Sequence, residues 1–225
     1  MRRVAVLISG RGSNLAALLA AAATGGYEIC GVISNRPDAP GLALARDAAV
    51  PTTVVDHRKH SGRAAFDAAL QDALDPIAAD WIVLAGFMRI LTDAFVLANL
   101  GRMVNIHPSL LPRYTGLHTH ARALEAGDEL HGASVHFVTP ELDGGPVIAQ
   151  VPMAILPGDT PVILAERLLP LEHRLLVACV RELTSGSIRL VDGKAVRSGG
   201  RLEFPLVLGD DDQLAARTLA VSASP

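Results

Sequence analysis

Aromatic residues are scarce in this 225-residue chain: one Trp, two Tyr and five Phe, 4% in all. The core must therefore come from Ala, Val, Leu and Ile, and stacking of successive bases on aromatic platforms is excluded as a main function. There is no basic surplus either. Twenty Lys and Arg against 23 Asp and Glu leave a formal net charge of -3 and a pI of about 6.2, which argues against a nucleic-acid backbone as partner. Only two cysteines occur, Cys30 and Cys179, far apart in apolar surroundings. They read as buried free thiols of a reducing compartment, not as a disulfide framework or metal knot. Long hydrophobic runs are also missing. Met1-Arg2-Arg3 followed by Val4–Ile8 imitates a signal peptide, but the apolar stretch ends at Ser9-Gly10-Arg11, too short and without a cleavage site. Nothing approaches the length of a bilayer span. The expectation is a cytoplasmic protein with neither nucleic acid nor membrane as partner.

What is present is globular. Half the residues are hydrophobic and 19% charged, enough apolar material for a sizeable core and too little charge for disorder. Strand-like and helix-like segments alternate: strands at 4–9, 28–34, 51–55, 81–85 and 103–107, with helices at 14–23, 41–48, 63–74 and from Thr92 to near Gly101. This order predicts an α/β fold with a doubly wound, mainly parallel sheet and a Rossmann-like N-terminal half. The C-terminal half is mixed and β-rich: strands at 134–138 and 147–155, a long helix over 160–183, and a hairpin turning at Asp192-Gly193. One catalytic domain is expected over 1–198, with a phosphate-binding half over about 1–100 and a catalytic half over about 101–198. The chain is expected to become a partly irregular tail over 199–225, loose from Gly209 onward.

Three strings carry chemistry. Gly10-Arg11-Gly12-Ser13-Asn14 follows a buried strand and opens a helix, where glycines let backbone N–H groups approach an anion. The dinucleotide fingerprint fails at Leu15, where a third glycine is wanted, so a phosphate monoester fits better than NAD. A plain strand-to-helix turn would use the same residues. Asn105-Ile106-His107-Pro108 ends a strand, and period two puts Asn105 and His107 on one face at the carboxyl edge where α/β ligands bind. An amide beside an imidazole can stabilise an oxyanion and carry a proton near neutral pH. Glu141-Leu142-Asp143-Gly144-Gly145-Pro146 is a shaped loop whose Asp143 could hold an imidazole or relay a proton; alone it is an ordinary turn. The pairs His118/His120 and His131/His136 match no zinc spacing, so no metal is expected. His57, Arg58, Lys59 and His60 read as a solvated basic loop.

Together with Leu84–Leu91 and the block from Gly116 to Pro146, these strings resemble the glycinamide ribonucleotide formyltransferases over Arg3 to about Leu183. The resemblance implies transfer of a formyl group from 10-formyltetrahydrofolate, a co-substrate, to the amine of glycinamide ribonucleotide in purine biosynthesis. It implies that Asn105 and His107 stabilise the oxyanion, that Asp143 assists proton transfer, and that His118 and Ser134 support them. Gly10, Arg11, Gly12, Ser13 and Asn14 would hold the phosphate and Glu172 the ribose. Arg63, Met88, Arg89, Ile90, Leu91 and Val96 would line the folate site, with Thr139, Pro140, Glu141 and Leu142 opposite. Leu169, Pro170, Arg11, Thr115 and Pro140 depart from the family pattern. A monomer or homodimer is expected. The alternative is a formyltetrahydrofolate hydrolase or another formyltransferase of this fold, for which an additional regulatory or basic domain would be expected.

Overall fold

A computed structural model describes residues 1–216. Along the chain run β1 (Arg2–Ile8), α1 (Ser13–Gly25), β2 (Tyr27–Ser34), α2 (Gly41–Asp47), β3 (Thr52–Val54), α3 (Arg63–Leu74), β4 (Trp81–Leu84), α4 (Asp93–Ala98) and β5 (Met103–His107). The second half adds α5 (Thr119–Glu125), β6 (Leu130–Phe137), β7 (Val147–Ala154), α6 (Pro161–Ser185), β8 (Ile188–Val191), β9 (Lys194–Arg197), β10 (Gly200–Arg201), β11 (Leu206–Leu208) and β12 (Leu214–Ala215).

The main sheet has nine strands in the order β12-β11-β7-β6-β5-β4-β1-β2-β3. The strands from β3 through β5 are all parallel; β6 then pairs antiparallel with β5, and β7 with β6. Alternation along β1 explains the layers. Val4, Val6 and Ile8 enter one core with Leu15 and Leu18 of α1, Leu42 of α2 and Leu175 of α6. Ala5 and Leu7 enter the other with Phe66 and Leu70 of α3 and Phe95 of α4. With helices on both faces, β1 from Val4 onward and β4 are apolar throughout, as strands covered on both faces require.

Local signals fix several boundaries. Thr92 and Thr160 cap α4 and α6 by accepting from the N–H groups of Phe95 and Ile163. The helix α6 runs unbroken through Pro170, which is exposed, so the missing N–H donor leaves a carbonyl on the solvent side rather than in the core. The hairpin at Asp192-Gly193 forms as expected, within a separate three-stranded sheet β10-β9-β8.

The chain after Gly199 departs from the expected irregular tail. Leu206–Leu208, buried on all three side chains, pairs parallel with β7, and Leu214–Ala215 pairs back onto it. Gly209–Ala215 is therefore a tight return rather than a loose end: the Gly209 N–H donates to the Gln213 carbonyl, and Arg174 of α6 binds Asp212 and the Gly209 and Asp210 carbonyls. The rest of the expected tail, 217–225, lies outside the described residues.

Candidate active site

The parallel strands reverse direction of winding between β1 and β4, the point where a crevice opens beyond their carboxyl ends. A cleft of about 430 Å³ lies there, lined by Gly10–Asn14 after β1, Asn35 and Arg36 after β2, His57, and Ala85, Gly86, Met88 and Arg89 after β4. Gly12 has φ 79, and a Cβ there would stand 2.7 Å from the Gly41 Cα, so the turn needs glycine on both counts. The Gly41 N–H donates to the Gly10 carbonyl and ties the turn to α2. With α1 starting at Ser13 and no side chain capping it, its first N–H groups have no side-chain partner and could receive an anion. Ser9 hydroxyl donates to Asn35 and accepts from the Met88 N–H, joining three walls of the cleft.

Behind the turn, the Asn14 amide donates to the Glu172 carboxyl at 3.3 Å. Glu172 is buried, and desolvation pushes its pKa up against the lowering effect of Asn14. Leu169, one turn earlier on α6, brings no polar atom. Arg89 lies 4.5 Å over the Phe66 ring.

The second cluster is built by strand register. Antiparallel pairing of β5 with β6 sets Asn105 opposite His136 and His107 opposite Ser134, four polar side chains on one face. Ser134 supports the strand end: its hydroxyl donates to the Ser109 carbonyl and accepts from the Leu111 N–H and the Gln150 amide. Asp143 enters from the 139–146 loop with φ 51, a left-handed conformation unusual for a non-glycine. Gly145 permits that approach, since any Cβ would collide with the Phe137 carbonyl oxygen at 1.8 Å.

Asp143 Oδ2 lies 3.5 Å from His107 Nδ1 and accepts the Gly116 N–H at 2.8 Å; Oδ1 lies 3.7 Å from His136 Nε2. His107 Nε2 is 2.8 Å from the Tyr114 carbonyl, so it donates. With a carbonyl on one ring nitrogen and a carboxylate on the other, both partners of His107 accept. His136 is different. Its Nδ1 donates to the Phe137 carbonyl at 2.9 Å, and its Nε2 meets the Asn105 amide nitrogen at 3.2 Å. Burial lowers its pKa despite the Phe137 bond and Asp143.

The structure thus brings Asn105, His107, Asp143 and Ser134 together and Gly10–Asn14 with Glu172. Met88 and Arg89 sit on the cleft, and Ile90 is exposed, but Leu91 and Val96 are buried in the second core beneath them. Thr139 is half-buried, while Pro140, Glu141 and Leu142 form the exposed crest of the Asp143 loop. Arg63 is exposed at the start of α3. His118, at the start of α5, is exposed and makes no side-chain hydrogen bond among the described residues, so it stands apart from the network. His136, Asn35, Arg36 and the Tyr114 carbonyl are members that sequence reading missed. Only His136 had a signal, its two-residue spacing from Ser134. Among the described residues no three His, Cys, Asp or Glu side chains are grouped to hold a metal ion.

Comparison with known proteins gives a consistent result. The chain is similar to the phosphoribosylglycinamide formyltransferase of Escherichia coli (strain K12), 45% identical over 201 residues covering 88% of this chain and 95% of that protein. It is also similar to part of the human trifunctional purine biosynthetic protein adenosine-3, 42% identical over 190 residues, 84% of this chain but 19% of that larger protein. The solved structure of the phosphoribosylglycinamide formyltransferase (purN) from Coxiella burnetii, in complex with CHES, matches with a TM-score of 0.86 at 46% identity, covering 89% of this chain and 95% of that one. The sequence pattern of the formyl transferase family fits residues 2–180, and the chain belongs to that family.

Proposed function

We propose that this enzyme transfers the formyl group of 10-formyltetrahydrofolate to the amine of glycinamide ribonucleotide, giving formylglycinamide ribonucleotide and tetrahydrofolate. The observation that carries this reading is the meeting of Asn105, His107 and Asp143 at the carboxyl end of β5, on the same edge of the sheet as a glycine turn that opens an uncapped helix. The phosphate docks on the Gly12–Asn14 N–H groups, and the ribose hydroxyls reach toward Glu172. The pterin lies along Met88–Ile90 and the 139–142 crest, and Arg63 offers charge to its glutamate end.

The neutral amine attacks the formyl carbon. A C–N bond forms, and the carbonyl electrons move to oxygen. An Asn105 N–H and the His107 imidazolium stabilise that oxyanion. As the C–N10 bond breaks, N10 takes a proton and the attacking amine loses one, with Asp143 relaying through water. Because His107 Nε2–H is spent on the Tyr114 carbonyl in the present conformation, engaging the oxyanion means exchanging that bond for one to substrate.

The test is to resolve the products of purified protein with 10-formyltetrahydrofolate, with and without glycinamide ribonucleotide. Formylated ribonucleotide formed one-for-one with tetrahydrofolate is expected. Formate release at a rate indifferent to the ribonucleotide would refute the assignment and favour the hydrolase.

A further inference from the structure

The network around Asp143 contains a fourth side chain that none of the steps above uses. His136 lies opposite Asn105 in the β5–β6 ladder, and its side chain is only 3% exposed. Its bonding leaves one assignment of hydrogens. The Phe137 carbonyl can only accept, so Nδ1 at 2.9 Å must carry hydrogen. The Asn105 NH2 group can only donate, so Nε2 at 3.2 Å must be a bare lone pair. A neutral ring in the Nδ1–H form satisfies both at once, and burial disfavours the charged alternative.

We propose that His136 is a positioning residue for the formyl transfer: its Nε2 lone pair takes one hydrogen of the Asn105 NH2 group, fixes which end of the amide is nitrogen, and leaves the second hydrogen of that group for the oxyanion. This rests on the function proposed above. An asparagine amide has two nearly isosteric orientations, and only its N–H side can stabilise an oxyanion. Without the lone pair, nothing else bonded to Asn105 on its side chain selects between them: its hydrogen bond to His136 is its only side-chain bond among the described residues. Protonating Nε2 would set donor against donor and turn the Asn105 carbonyl inward. Asp143 Oδ1, 3.7 Å from Nε2, and the Phe137 carbonyl on Nδ1 would both favour that proton; the dry surroundings oppose it.

The test is a double-mutant cycle on formyl transfer, with Asn105→Ala, His136→Leu and the pair together. His136→Leu is expected to lower kcat about 10- to 100-fold, the scale for a misplaced catalytic group, with KM for both substrates nearly unchanged. In the Asn105→Ala background the same change is expected to cost less than about twofold, because its target is gone. His136→Gln, which can offer a carbonyl oxygen near the Nε2 position, is expected to recover most of the loss. Equal losses in both backgrounds, or a Gln variant no better than Leu, would overturn the inference. A measurement on the unaltered protein guards against misfolded variants: the ¹⁵N spectrum of the His136 ring is expected to show protonated Nδ1 and bare Nε2 at neutral pH, and a protonated Nε2 would overturn it. If the unaltered protein transfers no formyl group, the proposed function fails; if it transfers and the losses are additive, only the role of His136 fails.

Discussion

At the β1–α1 turn, the polar groups left open are backbone N–H groups; at the end of β5 the clustered polar groups are side chains. The first region is shaped by what is missing, a Cβ at Gly12 and Gly41 and a capping side chain at α1. It needs no titration and little side-chain order, and it suits an anion that must be held but not changed. The second is shaped by antiparallel register, which stacks Asn105 against His136 and His107 against Ser134, and by a loop that brings one carboxylate to two imidazoles. Only there can hydrogens be placed on chosen atoms. On the proposed function, binding falls to the parallel side of the sheet and chemistry to the seam where β5 meets antiparallel β6.

Substitutions should separate the halves. The largest effect is expected from Asp143→Asn, which keeps shape but removes the charge facing His107: kcat should fall at least about 1,000-fold, the combined scale of a lost proton relay and a weakened oxyanion donor. Steady-state rates at saturating substrates measure it, and a loss below about tenfold would remove Asp143 from the chemistry. Gly12→Val should act on the other half. Strain at φ 79 and the contact with Gly41 should raise KM for the ribonucleotide about tenfold or more, with KM for the folate within about twofold. Equal rises in both would break the division.

Two further changes test what lies outside both regions. Leu206→Ala, 1% exposed in β11, should lower unfolding free energy by about 2–5 kcal/mol in denaturant titrations and leave both KM values unchanged. A change below about 0.5 kcal/mol would mean that the strand is not part of the cooperative fold. His131 carries a pH signature. Burial holds its pKa at about 4 against 6.5 in the unfolded chain, and it shares a 2.9 Å bond with His120, whose pKa burial also lowers. The folded state thus binds fewer protons between pH 4 and 6.5, so stability is intact above pH 6.5 and falls as pH drops toward 4. A loss of roughly 1–2 kcal/mol from pH 7 to pH 5 is expected, flattened by His131→Gln. A urea midpoint equal at both pH values would contradict it.

Most of this was legible in the chain where the signal was local. Period two at Asn105 and His107, the glycines before Ser13 and the Gly-Gly-Pro after Asp143 each declare a geometry within a few residues. The sequence strings that resemble the glycinamide ribonucleotide formyltransferases led to the same family as the comparisons. What escaped was non-local. His136 becomes part of the site only through its register against β5, and no spacing along β6 reveals which residue it will face. Leu206-Val207-Leu208 is too short and too close to Pro205 to announce a strand; it forms because the edge of β7 offers unpaired backbone groups. Leu91 and Val96 are apolar enough for either a pocket wall or a core, and the packing of α4 against α3 puts them in the core. His118 belongs to a histidine-rich string, yet its left-handed φ of 59 at the start of α5 turns the chain there without a bond to the cluster.

The division between binding and chemistry is tested most directly by calorimetric titration of glycinamide ribonucleotide into the Asp143→Asn protein. The account predicts a Kd within about threefold of the unaltered enzyme, less than 1 kcal/mol of change, in a protein that has lost nearly all turnover. A Kd weakened in parallel with kcat would show that Asp143 serves binding or the fold, and the division would fall.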